Sequence, residues 1–237
     1  MAIKKLLTLL LFTYFSLLYA QENKVYFDDA LSQHLRTFNN KSDLAIKNDR
    51  PEEVDALFDS LVKNHLRNTY IADLKFKKAT GGKLNTEKLD KPFLLITKNS
   101  AIIQRKAEIT KINDLATEYK DRVSIIVLYW DKKRTAKKKA RSYNNNITVV
   151  YADERNNKSN NALSIYKHSF GVPVCFYINQ DKQIFDIDRK FFLKNLNTAT
   201  KKLFLEKAHK SITALLETQN NGIQSSLNIN VTTLDEP

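Results

Sequence analysis

The chain has 237 residues, 42% of them hydrophobic and 27% charged, and its formal net charge is +13. This composition excludes a chain that is disordered throughout, and the length is sufficient for one well-buried domain with extensions. Cys175 is the single cysteine, so an intramolecular disulfide is excluded and the fold must be stabilised by its core.

The first twenty residues have the pattern of a secretory signal peptide. Lys4 and Lys5 form a basic start, residues 6–18 are an almost unbroken apolar run, and Ala20 is a small residue before Gln21. The alternative is a membrane anchor, for which the run falls short of the roughly 20 apolar residues that span a bilayer. We therefore expect an exported protein, periplasmic or secreted, that contacts a membrane only if this segment is not cleaved.

Two elements are expected in an N-terminal extension, residues 21–70. A strand or helix fragment is predicted near residues 30–38. One amphipathic helix is predicted from about Pro51 to Leu66, because Asp49 can cap it and Pro51 suits the first turn. Its apolar residues recur at helical spacing: Val54, Leu57, Phe58, Leu61, Val62 and Leu66.

From residue 71 onwards, strands and helices alternate. Residues 71–76 and 83–84 flank two glycines, as in a loose hairpin. The runs PFLLIT (92–97) and VSIIVLYW (123–130) are typical of buried strands. A helix between them places five residues on one face: Ile102, Ile109, Ile112, Ala116 and Tyr119. This order predicts a parallel strand pair joined by a right-handed crossover.

The remaining elements complete a domain over residues 71–218. They are a helix (133–143), a strand (147–151), a helical segment (162–168), two strands (172–178 and 183–187) and an amphipathic helix (200–218). The last two strands are expected to be antiparallel because so short a turn cannot support a crossover. Residues 219–237 are rich in Asn, Ser and Thr, which is typical of a flexible tail.

Four of these segments together resemble the exported thioredoxin-like proteins of the TlpA and ResA type. They are PFLLIT, the helix containing KAEI, VSIIVLYW and FGVPVCFYINQDKQI. The resemblance covers about residues 71–216. It implies an α/β, thioredoxin-like fold with a central mixed sheet flanked by helices and, here, an N-terminal helical extension. In that family the first strand ends in Trp-Cys-x-x-Cys, usually followed by a basic residue, a variable residue and Glu.

The dithiol of that family is absent from this sequence. Lys106-Ala107-Glu108 fits the basic, variable, Glu sequence, which puts the two cysteine positions at Ile102 and Arg105. Dithiol exchange needs a nucleophilic thiolate and a second thiol that resolves the mixed disulfide. Neither side chain can provide these, so no dithiol catalysis is expected at these positions.

The resemblance also implies a groove beside the degenerate dithiol positions. The family has a Gly-Val-Pro-Thr segment with a cis-proline there, and this chain has Val172 and Pro173, with Val174 in place of Thr. A cis peptide before Pro173 is implied, and a trans proline at a strand start is the alternative. We expect Val172, Pro173 and Glu108 to form this groove.

Glu108 matches an acidic residue that could assist proton transfer near the family's dithiol. Without thiols, the sequence favours a helix carboxylate that pairs with Lys111 or Arg105. A structural role is therefore expected for Glu108.

Cys175 follows Pro173 by two residues and shares its face of the strand. It could form a mixed disulfide with a partner. The apolar neighbours Val174 and Phe176 favour a buried core cysteine instead, and free cysteine is among the most buried residue types.

Positive charge is concentrated in residues 132–141, KKRTAKKKAR. The seven basic residues are Lys132, Lys133, Arg134, Lys137, Lys138, Lys139 and Arg141. Such density can attract phosphate-bearing polymers or anionic lipid, and the alternative is a solvated helix face. Nucleic acid is not expected to meet an exported protein.

The four histidines lack metal-ligand spacing, and neither a metal nor a cofactor is expected.

Three functions remain open at this point. The first is a redox-inactive, thioredoxin-fold binding or scaffold protein of the cell envelope, whose partner is an unknown protein or an anionic polymer. The second is a thiol-disulfide oxidoreductase that acts through Cys175 alone. The third is an anion-binding envelope module that uses the basic helix. The single cysteine favours the first over the second.

Overall fold

The structure is a computed structural model that describes residues 24–102, 105–153, 165–166, 169–171, 173–189 and 206–218. The predicted signal peptide and C-terminal tail lie outside these residues. So do Val172, most of the predicted helical segment at 162–168 and the first part of the helix predicted at 200–218.

Seven strands within the described residues form one mixed sheet. In chain order they are β1 (Lys75–Lys78), β2 (Lys83–Asn85), β3 (Phe93–Lys98), β4 (Ser124–Tyr129), β5 (Ile147–Tyr151), β6 (Val174–Ile178) and β7 (Ile184–Asp188). Their order across the sheet is β2-β1-β5-β4-β3-β6-β7. β3 and β4, which the sequence predicted to be buried strands, lie near the centre of the sheet.

Strand directions confirm the predicted connections. β3 pairs with β4 in parallel, and β4 pairs with β5 in parallel. β1 and β2 form the predicted antiparallel hairpin, and β6 and β7 form the second one, with an irregularity between Tyr177 and Ile178. β6 also runs antiparallel to β3.

Helices cover both faces of this sheet. They are α1 (Phe27–Lys47), α2 (Glu53–Leu61), α3 (Lys106–Glu118), α4 (Lys133–Ala140) and α5, whose described part is residues 206–218. α2 continues into a π-helical turn, Val62–Leu66. None of the helices in the described residues is both long and apolar enough to cross a membrane.

The N-terminal extension contains two helices, one more than predicted. In place of a short fragment near residues 30–38, α1 runs for 21 residues. The reason is a long apolar stripe that the polar and charged residues between its members obscure. Its buried members are Phe27, Ala30, Leu31, Phe38 and Ala45.

Two apolar cores lie on opposite faces of the sheet. The first core packs β3, β4 and β6 against α1, α2 and the π-helical turn, and the second packs the same strands against α3, α4 and α5. Successive residues of β3 alternate between them: Phe93 and Leu95 belong to the first core, and Leu94 and Ile96 to the second. All four side chains are fully buried.

Phe27 joins α1 to the first core. Its ring lies 5.7 Å from the ring of Tyr166 and 6.0 Å from that of Phe176 in β6, measured between centroids. Its backbone N–H donates to the carbonyl of Tyr70 at 2.8 Å. The described part of the extension is thus packed into the core of the sheet.

We expect Phe27→Ala to lower the free energy of unfolding by about 3–5 kcal/mol, because it removes a buried aromatic ring and leaves a cavity. Urea unfolding measures this. The matched control is Tyr26→Ala, whose side chain is 41% exposed and should change stability far less. Equal stability of the two variants would show that α1 does not share the core.

Candidate functional site

The turn after β3 occupies the place where the resemblance puts the dithiol. Asp131 holds it, because one carboxylate oxygen accepts the backbone N–H of Ser100 at 2.8 Å and the other accepts the Ser100 hydroxyl. Asn99 closes the turn with two hydrogen bonds. Its side-chain oxygen accepts the backbone N–H of Ala101, and its backbone carbonyl accepts the N–H of Ile102. The turn is fixed by hydrogen bonds that need no thiol.

Ile102 and Arg105 occupy the positions that the resemblance assigns to the dithiol. Ile102 is 40% exposed and precedes α3, so its predicted place on the buried face of the helix is wrong. Arg105 is exposed at the start of α3, where its carbonyl accepts the N–H groups of Glu108 and Ile109. An apolar side chain and a guanidinium therefore face solvent there, and neither is a nucleophile.

A buried ion pair lies beneath the turn. Lys98, the last residue of β3, directs its Nζ atom to Oε1 of Glu108 in the first turn of α3. The two side chains are only 7% and 13% exposed. The predicted partners of Glu108, Lys111 and Arg105, are therefore wrong. Lys98 reaches Glu108 because β3 ends directly below the start of α3, a tertiary contact that helical spacing does not reveal.

Lys98 is buried, and a second lysine lies near it. Burial lowers the pKa of Lys98, Glu108 opposes that change, and nearby Lys139 of α4 adds to it. A lone ammonium would be costly at this depth, and the carboxylate compensates for the lost hydration. The arrangement makes Lys98 and Glu108 a structural clamp between β3 and α3.

Cys175 is a core residue, as its apolar neighbours predicted. It lies in β6 opposite Ile96 of β3 and Asp188 of β7, and it has no solvent exposure. Burial raises the pKa of the Cys175 thiol well above its ordinary value, and the negative charge of Asp188 raises it further. Because the thiolate is the reactive form, its burial and its raised pKa both disfavour reaction of this thiol in the folded chain.

Two of the three predicted groove residues, Pro173 and Glu108, lie at one end of the sheet. Pro173 is half-buried immediately before β6, whose residue Val174 accepts a hydrogen bond from the Thr97 hydroxyl at 3.3 Å. Because Thr97 is next to Lys98, the start of β6 lies beside the end of β3. Glu108 reaches this end too, but its carboxylate points inward to Lys98. Val172 lies outside the described residues.

The basic run forms α4 and its flanks. Six of its seven basic residues are exposed, and Lys139 is half-buried. Ala136 is fully buried in the second core and fixes which side of α4 faces the sheet. The run therefore presents a solvated cationic surface next to the site that contains Lys98.

A cavity that no sequence pattern indicated lies at the β7 edge of the sheet. It has a volume of about 270 Å³ and lies between α2, the π-helical turn and the end of β7. Arg189 lies on its wall with its guanidinium 4.0 Å above the ring of Phe58 and 3.5 Å from Asp55. Two further ion pairs lie on the wall, Arg67 with Asp186 and Lys207 with Asp188, each at 3.0 Å. The three pairs involve six of the eight charged side chains that line the cavity.

No family model and no curated protein matches this sequence. Solved structures do resemble it. A candidate protein disulfide isomerase from Bacteroides thetaiotaomicron superimposes with a TM-score of 0.50 at 13% identity, over 64% of this chain and 90% of that one. A candidate thiol:disulfide interchange protein, DsbE from Chlorobium tepidum, superimposes with a TM-score of 0.48 at 18% identity, over 63% of this chain and 97% of that one. Peroxidoxin BcpB from Mycobacterium tuberculosis superimposes with a TM-score of 0.47 at 18% identity, over 64% of this chain and 97% of that one. At such identities the likeness concerns the fold alone, and the fold is α/β and thioredoxin-like.

Glu108→Gln should lower the free energy of unfolding by about 3–5 kcal/mol, because it leaves the ammonium of Lys98 buried without its carboxylate. Chemical denaturation at pH 7 measures this. The loss should shrink as the pH approaches 10.5, the ordinary pKa of lysine, because burial lowers the pKa of Lys98 and favours its neutral form.

The control for that measurement is Glu118→Gln in the last turn of the same helix, where the side chain is 51% exposed. It should change stability by less than about 0.5 kcal/mol. If Glu108→Gln were equally mild, the ion pair would not act as a clamp.

The Cys175 thiol should not react with Ellman's reagent at pH 8 in the native protein and should react fully after denaturation, because it is buried and protonated. The matched control is Ile102→Cys in a Cys175→Ser background, since position 102 is exposed. That variant should react at once. Rapid native labelling of Cys175 would contradict its assignment to the core.

Proposed function

We propose that this protein is an exported, redox-inactive thioredoxin-fold protein of the TlpA and ResA type that acts in the cell envelope by binding rather than by dithiol exchange. One observation carries the proposal. Where the resemblance puts a dithiol, the chain has Ile102 and Arg105 above a buried ion pair of Lys98 and Glu108.

The single cysteine supports the same conclusion. An oxidoreductase that acts through Cys175 would need its Sγ atom at the surface to form a mixed disulfide. Cys175 is instead covered in the second core, between β3 and β7. Its raised pKa further reduces the small thiolate fraction available at neutral pH.

Binding without chemistry is compatible with the end of the sheet that contains Ile102 and Pro173. The hydrogen bonds of Ser100 and Asn99 fix the turn, and Ile102 presents an exposed apolar side chain beside it. A partner could contact this end without any covalent step. The predicted signal peptide supports placing this activity in the periplasm or outside the cell.

Insulin-disulfide reduction by the protein without its first twenty residues tests the proposal. We expect the wild type and Cys175→Ser to give the same rate as dithiothreitol alone, because neither presents a reactive thiol. A dithiol thioredoxin is the positive control. Activity in the wild type that disappears in Cys175→Ser would establish Cys175 as a working thiol and overturn the proposal.

A further inference from the structure

The β1–β2 hairpin carries a second group of exposed lysines, which the sequence alone does not connect with the basic run. Lys75 and Lys77 lie in β1 and Lys83 lies in β2, and all three are exposed. Lys77 and Lys83 are directly opposite each other in the antiparallel register. Side chains opposite each other in such a pair lie on the same face of the sheet.

The register places these lysines on the same face of the sheet as α4. Lys77 is also opposite Tyr151 of β5, and Tyr151 packs against the second core. The alternate residues Phe76 and Leu84 pack into the first core, on the other face. α4 covers β5 on the face of the second core. Hairpin and helix are thus neighbours, since β1 adjoins β5.

We propose that this combined surface binds a linear, phosphate-bearing polymer. The α4–hairpin surface consists of Lys75, Lys77 and Lys83 together with the basic residues of the run 132–141. Among the described residues, no carboxylate lies within ion-pair distance of these lysines and arginines. The proposal names a partner for the binding role given above and rests on that role.

The positive charges of the α4–hairpin surface do not stabilise the fold. Lys133 and Arg134 lie in the first turn of α4, where the helix dipole disfavours cations, and that turn has no acidic residue. Lys133 and Lys137 are like charges four residues apart on one helix, which is unfavourable. Lys77 and Lys83 repel each other across the hairpin. A bound polyanion would relieve all three repulsions.

The composition of the surface favours a polymer over a membrane. Among the described residues, the most exposed large apolar side chains lie elsewhere, on α1 and its approach and at Ile102. Proteins that lie on lipid usually insert apolar side chains beside their basic ones. Eight of the ten cations are lysines, which act as flexible point charges on phosphate and do not require a fixed ligand geometry. A flexible chain of closely spaced phosphates matches this pattern.

Binding of fluorescently labelled long-chain inorganic polyphosphate tests the proposal, with affinity measured by anisotropy at several salt concentrations. Two variants neutralise the two halves of the surface: Lys77→Gln with Lys83→Gln in the hairpin, and Lys137→Gln with Lys138→Gln in α4. Each should weaken binding by at least about tenfold at low salt and make its salt dependence shallower. Thermal unfolding should show that both variants are folded and no less stable than the wild type.

The matched control is Lys41→Gln with Lys47→Gln, which removes the same charge from exposed positions of α1 on the other face of the sheet. It should bind polyphosphate within about twofold of the wild type. The proposal is overturned by an equal loss in this control, by wild-type affinity of the hairpin variant, or by binding to phosphatidylglycerol vesicles but not to polyphosphate. No thiol takes part, so this test and insulin reduction can fail separately.

Discussion

The structure depends on burial of β3 and β4 from both sides. Leu94 and Ile96 face one core and Phe93 and Leu95 the other, and none of the four has contact with solvent. Because the only cysteine cannot crosslink the chain, apolar burial must supply the stability, at about 1.5–3 kcal/mol for each fully buried side chain of this size. Both helical layers are therefore attached to the same two strands. Displacing either layer would expose a whole face of β3.

At the end of β3 the apolar core contacts of the strand give way to the ion pair of Lys98 and Glu108. Lys98 is the last residue of β3, and the carboxylate that it contacts compensates for the hydration lost by its buried ammonium. Glu108 provides it from the first turn of α3, which is also favoured by the helix dipole. A buried ion pair adds little net stability, but removal of one partner is costly. Here the pair joins the first turn of α3 to the end of β3.

The sequence predicted the elements whose patterns are local and missed the contacts that are not. β5 has the bounds that were predicted, and the parallel pair β3 and β4 follows from two apolar runs around one helix. α1 was underestimated because poor helix formers such as Asn39 and Asn40 separate its apolar residues, and tertiary packing outweighs their propensity. The partner of Glu108 could not be found by helical spacing, since Lys98 belongs to another element. Burial of Cys175 was predictable because both of its neighbours are apolar.

Stability and the proposed binding surface use different residues. Each repulsive lysine pair on α4 costs about 0.2–0.5 kcal/mol, and cations in its first turn cost about 0.3–1 kcal/mol each. These costs are small beside the 5–15 kcal/mol typical of a folded domain, and the two cores are formed by other side chains. A chain with this core can therefore retain a self-repelling cationic face and an end of the sheet without thiols. That separation gives a physical reason why this thioredoxin-like fold can be stable with a single, buried cysteine.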